Sequence, residues 1–203
     1  MRTFASSRFG VAAAVVAATL AFGASTANAA TSYSGHARPL SVSAFGASVS
    51  IGDTGQLPKG GGSQSAGLLN LNLLGFATVG VLQGTTSGSG DTSTSTASLA
   101  SVSVPIVGLS ADLVKSQSTA QCNGTTPSVS GSSELVNVTI LGLPVSAPVP
   151  NVSIVLPGGI SVILNEQTSS VNGNQGSMTV NAIHVTGPGI DVVVASAESD
   201  IAC

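Results

Sequence analysis

The sequence predicts an all-β protein: a single, mostly antiparallel, curved β-sandwich or barrel-like domain whose long strands carry glycine bulges. Three observations predict it. Apolar residues alternate with small polar ones in segment after segment, the period of a strand with one buried face. One eight-residue pattern of this kind, ending in a glycine break, occurs four times. Composition also suits strands: among 203 residues there are 33 Ser, 18 Thr and 25 Val, while only 6% are charged and 3% aromatic, so the Lys and Glu that coat solvated helices are scarce. Val, Leu, Ile and Phe still supply 56 residues, enough for a core.

Residues 1–29 read as a secretory signal peptide. Arg2 and Arg8 give the positive start, Val11 to Phe22 the apolar run, and Ala27-Asn28-Ala29 a small-residue site cleaved between Ala29 and Ala30. The run is shorter than the roughly 20 residues that span a bilayer. Residues 30–203 are then one exported β domain, with Arg38, Lys59 and Lys115 against eight acids, a net charge of −5. That surface gives no electrostatic reason to bind nucleic acid or anionic lipid. The most apolar later stretch, Gly67 to Leu82, is broken by Asn70 and Asn72, so no transmembrane segment is expected after signal removal, and no C-terminal anchor is visible.

The repeated pattern is apolar, any, apolar, any, apolar, apolar, Gly, apolar. It runs over Leu40–Ala47, Leu69–Phe76, Val102–Leu109 and Val136–Leu143, and an altered fifth copy, Met178–Val185, has His184 in place of glycine. Two apolar residues in a row reverse the buried face, and an extra unpaired residue would restore it. Gly46, Gly75, Gly108 and Gly142 are therefore predicted as bulge glycines that bend long strands. The copies start 29, 33, 34 and 42 residues apart. A β-solenoid-like repeat, the alternative architecture, needs a steadier period, whereas variable return strands fit: Ser116–Cys122, Val152–Leu156, Ile160–Glu166 and Ile190–Ala197. Turns are expected over 52–62, 84–96, 123–131, 157–159, 172–176 and 187–189.

Chemistry is sparse. Cys122 and Cys203 are the only cysteines, and an even count in an exported chain predicts one disulfide closing a long loop and stapling the last strand. No G-x-S-x-G motif occurs. His184 could join a serine and Asp191 or Asp200, but the simpler reading is a strand histidine with a hydrogen-bonded ring. Glu166, Asp191, Glu198 and Asp200 are the carboxylates a glycosidase would need, without the aromatic platforms of a sugar cleft. Asp191, Glu198 and Asp200 could form a weak calcium site, though solvated strand-edge acids explain them more simply. Thr92, Thr94 and Thr96 would present hydroxyls on one side of an extended segment, an ice-binding idea that needs several such strands; a solvated loop is the expectation. Asn123, Asn137 and Asn151 open acceptor sequons. No catalytic, metal or cofactor-binding residue is assigned.

The strand repeats, the run Gly52-Asp53-Thr54-Gly55-Gln56-Leu57-Pro58 followed by Gly60-Gly61-Gly62, and the ending Val180-Asn181-Ala182-Ile183-His184-Val185 with Val192 to Glu198 resemble the choice-of-anchor P family of actinobacterial exported proteins. The resemblance covers Tyr33 to Cys203. It implies export and surface display, often through a C-terminal anchor, and no catalytic residues; this chain departs in lacking the anchor. The expected function is that of a non-enzymatic secreted or cell-surface structural or adhesive protein. Envelope components or further copies of itself would be its partners. The alternatives are a binding module for a hydrophobic small ligand in a β cavity and, more remotely, a hydrolase using His184.

Overall fold

The computed structural model describes residues 31–73 and 77–203, so the Ala29–Ala30 cleavage point and Gly75 lie outside the described residues. Within them the chain forms β1 (Ser32–Ala44), β2 (Ala47–Ile51), β3 (Gly62–Leu73), β4 (Ala77–Ser89), β5 (Thr92–Val104), β6 (Leu109–Asn123), β7 (Thr126–Val136), β8 (Thr139–Ile140), β9 (Leu143–Pro144), β10 (Val152–Leu156), β11 (Ile160–Asn172), β12 (Gln175–Gly187) and β13 (Ile190–Ala202). One turn of 3-10 helix, Pro105–Val107, separates β5 from β6. Sheet I has the order β10-β11-β12-β13-β1-β2; sheet II has β3-β4-β5-β6-β8-β9, with β7 also on β6. They stack face to face, β13 over β5 and β6, β12 over β6 and β7, β1 over β4 and β5. The result is an antiparallel β-sandwich, not a closed barrel.

Long strands change the face they bury part-way along. In β13 the inward set passes from Val192 and Val194 to Ala197, Ser199 and Ile201, and in β12 from Val180 and Ala182 to Ile183 and Val185. In β5 it passes from Ala97 and Leu99 to Val102 and Val104, and in β6 from Leu109 and Ala111 to Val114 and Ser116. The reversals line up in rows. In sheet I the row is Pro39, Ala195, Ala182 and Asn165, and register is kept on either side: Arg38 and Asn181 both face Ser196, while Leu40 and Ile183 both face Val194. In sheet II the row is Asn70, Gly80, Ser101, Asp112 and Asn137. Neighbouring strands gain one residue at the same level, so none slips against the next. Asn165, Ala195, Asn70, Ser101 and Asn137 do so with φ between 52° and 56°, a left-handed backbone that Asn tolerates and that Ser and Ala adopt only when their surroundings impose it.

Strands that reverse midway were expected, but at the repeated glycines, and the structure moves the reversal elsewhere. Gly46 and Gly142 complete the two-residue turns between β1 and β2 and between β8 and β9, with φ of 83° and 76° after Phe45 at 51° and Leu141 at 52°. Two successive positive φ values match the twist of a tight hairpin. Gly108, with φ of 58°, ends the 3-10 turn. These glycines terminate strands rather than bend them, because a hairpin and a bulge both want positive φ after the same alternating run. The fifth copy, Met178–Val185, lies inside β12 and reverses its buried face at Ala182–Ile183 without ending the strand.

The Ser/Thr-rich stretches expected as loops over 84–96 and 123–131 are also mostly strand, in β4, β5 and β7. Their inward residues are mostly small: Gly84, Thr86, Gly88, Ser93 and Ser95 in β4 and β5, and Pro127, Val129 and Gly131 in β7. Ser93, Ser95, Ser116, Ser118 and Ser199 are fully buried between the sheets. Ser95 Oγ donates to the Glu198 carbonyl at 2.6 Å, and the Ser118 and Ser199 hydroxyls meet at 2.8 Å. Side chains this short bring the sheets close enough for a hydroxyl of one to reach the backbone of the other, which satisfies Ser95, Ser118 and Ser199 where burial would otherwise penalise them, while Ser116 Oγ is buried without a partner.

This serine belt separates two apolar clusters. The larger contains Leu40, Leu82, Leu99, Leu109, Leu164 and Ile183. The smaller packs Tyr33, Leu57 and Ile201 around the Cys122–Cys203 disulfide. The disulfide forms as expected, but β13 is no fraying end: it is paired along its length with both β12 and β1. The bond instead joins the ends of β13 in sheet I and β6 in sheet II. Two segments seal the sides. Residues 52–61 run along β1, with Thr54 N donating to Ala37 O at 3.0 Å and Leu57 N to Gly35 O at 2.8 Å. On the other side Val145 and Ala147 pack on the larger cluster, and Asn151 N donates to Asn165 O at 2.9 Å.

Candidate functional site

The outer face of sheet I gathers both histidines, Arg38 and four of the eight acids. Antiparallel pairing places them in rows: Arg38, Ser196, Asn181 and Glu166; His36, Glu198, Thr179 and Thr168; Ser34, Asp200, Ser177 and Ser170. His36 Nε2 lies 3.8 Å from Glu198 Oε2. Burial raises the pKa of Glu198 above the ordinary carboxylate value, against the pull of the His36 charge; Asp200 adds to the rise and Arg38 opposes it. His36 Nδ1 and Arg38 Nε are buried without a hydrogen-bond partner. Beyond this row a polar concavity of about 360 Å³ opens at the disulfide end of the face, lined by Ser34, Lys59, Ser170, Asn172, Ser177 and Asp200 among others.

Across the reversal row, His184 is held between two carboxylates. Its Nδ1 is 2.9 Å from Glu166 Oε2 and its Nε2 3.3 Å from Asp191 Oδ2. Asn181 Nδ2 donates to the same Glu166 oxygen at 2.6 Å. In either protonation state this leaves no ring nitrogen turned toward a hydroxyl, as a serine nucleophile would require. Of the partners considered from sequence, Asp191 reaches His184 and Asp200 lies on the other half of the face. Asp191, Glu198 and Asp200 are not brought together, since Asp191 pairs with Ser43 while Glu198 pairs with His36. Among the described residues no group of three or more His, Cys, Asp or Glu side chains is arranged to hold a metal ion.

Sequence reading missed the meeting of His36 with Glu198, with Arg38 in the row on one side and Asp200 in the row on the other. A signal existed: His36 and Arg38, like Glu198 and Asp200, are spaced by two, which puts both members on one face of a strand. Only the β1–β13 register brings His36 opposite Glu198.

The outer face of sheet II is of a different kind. Five neighbouring strands present Ser63, Ser87, Thr94, Thr119 and Ser130 in one row and Ser65, Thr85, Thr96, Gln117 and Ser132 in the next. Thr92, Thr94 and Thr96 therefore stand in the middle of a sheet, correcting the expectation of a solvated loop. Among the described residues the next row of β6 and β7 brings in the charged pair Lys115 and Glu134, which face each other. The sequons Asn137 and Asn151 are tied into the fold: Asn137 Nδ2 donates to Asp112 Oδ2 at 2.6 Å, and Asn151 Oδ1 accepts from Gln167 N at 2.8 Å.

Among the described residues no helix is long and apolar enough to cross a membrane. No family model matches the chain, and neither the curated proteins nor the solved structures give a significant match.

Proposed function

We propose that the chain is a non-enzymatic secreted or cell-surface protein that serves the envelope as a structural or adhesive interaction module. The observation that carries this reading is the outer face of sheet II, a broad, nearly uncharged array of hydroxyls and amides held in register by five strands. Such a face suits many weak hydrogen bonds to an extended neutral surface, and its two rows hold no histidine, carboxylate or amine to activate their hydroxyls. The disulfide supports an oxidising compartment. A ligand enclosed between the sheets finds the space occupied by the aliphatic cluster and the serine belt.

Fractionating the producing cells into cytoplasm, membrane, wall and medium tests the proposal. A chain lacking its first 29 residues is expected in the wall or medium fraction, and retention in the cytoplasm with the leader intact would overturn export. Binding of the purified mature chain to wall fragments tests the face, with a drop of about tenfold expected for Thr94→Lys combined with Thr119→Lys.

A further inference from the structure

The recurring run of two apolar residues followed by glycine takes no part in the outer face of sheet II. The structure puts its described copies at one end of the sandwich. The β1–β2 turn, the 3-10 turn and the β8–β9 turn all lie opposite the disulfide, because β6 and β13 both start at this end and finish at the cysteines. Turns are normally built of polar residues. Here they carry Phe45 at 81% exposure, Ile106 at 43%, Leu141 at 58% and Leu143 at 68%, with Val155 at 80% just before the Pro157 turn.

We propose that this end of the molecule inserts its turns into the acyl layer of a lipid bilayer with uncharged or zwitterionic headgroups, holding the protein on an envelope membrane. The proposal rests on the exported reading above. Charge selects this occupant. Residues 45–46, 105–108, 141–144, 157–159 and 187–189 include no ionisable side chain, and Asp191, which borders this end, lies beside His184 Nε2. The opposite end carries Lys59, Asp91 and Asp200, which stay in water when the molecule stands upright. Shape agrees with charge. The apolar side chains project from separate turns of both sheets, as wedges a fluid layer can close around. Beside them Val42, Ala44, Phe45, Ala47, Val49 and Leu73 line an apolar concavity of about 310 Å³, and an exposed apolar patch of this kind marks a membrane or partner contact.

The test is co-sedimentation of the purified mature chain with phosphatidylcholine vesicles. Binding is expected to be unaffected by raising salt and not improved by adding phosphatidylglycerol. Phe45→Ser and Leu141→Ser should each lower the partition coefficient about tenfold, as expected for losing one inserted large apolar side chain. Both positions are exposed, so the variants should keep the parent melting temperature. The chain has no Trp, so Phe45→Trp supplies a single tryptophan, excited selectively over Tyr33, whose emission should shift to the blue on adding vesicles. The proposal is overturned by absence of sedimentation at millimolar lipid, by binding that the two substitutions leave unchanged, or by a concentration-dependent dimer that Phe45→Ser abolishes, which would assign this end to a second copy. A chain that fractionates outside the cell yet ignores vesicles would sink this proposal alone; one that binds vesicles yet stays cytoplasmic would sink export alone.

Discussion

Replacing both Cys122 and Cys203 by alanine should lower stability throughout the sandwich, not at one end. The cysteines are 81 residues apart. For a closed loop of that length, lost chain entropy in the unfolded state is worth about 4.5 kcal/mol at room temperature. Local contacts add little, because alanine keeps part of the packing against Tyr33, Leu57 and Ile201. The last strand also keeps two full ladders of hydrogen bonds, to β12 and to β1, so the native state has no loose end to fray. For a domain of this size each kcal/mol moves the midpoint by roughly 2–4 °C, giving an expected fall of about 9–18 °C. Thermal unfolding of residues 30–203 by circular dichroism, wild type against the double variant, measures it, and hydrogen exchange locates it. A fall under about 3 °C, with exchange raised only in residues 199–202, would refute the entropic reasoning and restore the picture of a stapled terminus.

Three further perturbations separate other contributions. Gly35→Ala would place a Cβ 2.5 Å from the Glu198 carbonyl oxygen at a φ of 148°, and since backbone cannot give way it should cost about 3 kcal/mol or more; Gly60→Ala, with nothing within 4 Å of its Cβ, should change the urea midpoint hardly at all. Ser199→Ala leaves the buried Ser118 hydroxyl without its 2.8 Å partner and should cost about 1–3 kcal/mol, whereas removing both hydroxyls should be no worse than removing one; strict additivity in the double-mutant cycle would count against a buried pair. Because burial raises the pKa of Glu198 in the folded state, the folded protein binds more protons than the unfolded chain between the ordinary carboxylate value and the raised one. This contribution should therefore weaken stability as pH rises through that window and leave the full penalty above it. Glu198→Gln should flatten that decline, and identical melting profiles from pH 4 to 8 would contradict the assignment.

How far the sequence foretold this structure differs from feature to feature. Strand content, antiparallel pairing and the disulfide were legible because period-two alternation and an even cysteine count act locally. β10 was read with its true limits, Val152–Leu156, since a short apolar run between turn residues has one interpretation. The Ser/Thr segments were misread because their inward positions are mostly glycine, serine or threonine, such as Gly84, Thr86, Gly88, Ser93 and Ser95, so hydropathy does not alternate even though geometry does. The reversal rows were misplaced for a related reason. Their real signals are mid-strand apolar doublets such as Leu113-Val114 and Ala182-Ile183, quieter than a glycine, and only the neighbouring strand's register distinguishes a bulge from a hairpin. The cluster on sheet I depends on register alone: Glu166, His184 and Asp191 come from three strands, and no spacing along the chain announces their meeting.

The aligned reversals tie the lengths of separate strands to one another. Deleting one residue near Ala195 would turn Ala197, Ser199 and Ile201 outward and Ser196, Glu198 and Asp200 inward, while β1 and β12 on either side kept their phase. No compensating substitution at a single site would repair this; β1 and β12 would have to lose a residue at the same level. Sequences diverging from this one should therefore vary freely in the loops yet change length inside the strands only in concert, so a lone mid-strand insertion or deletion should be the rarest difference between any two of them.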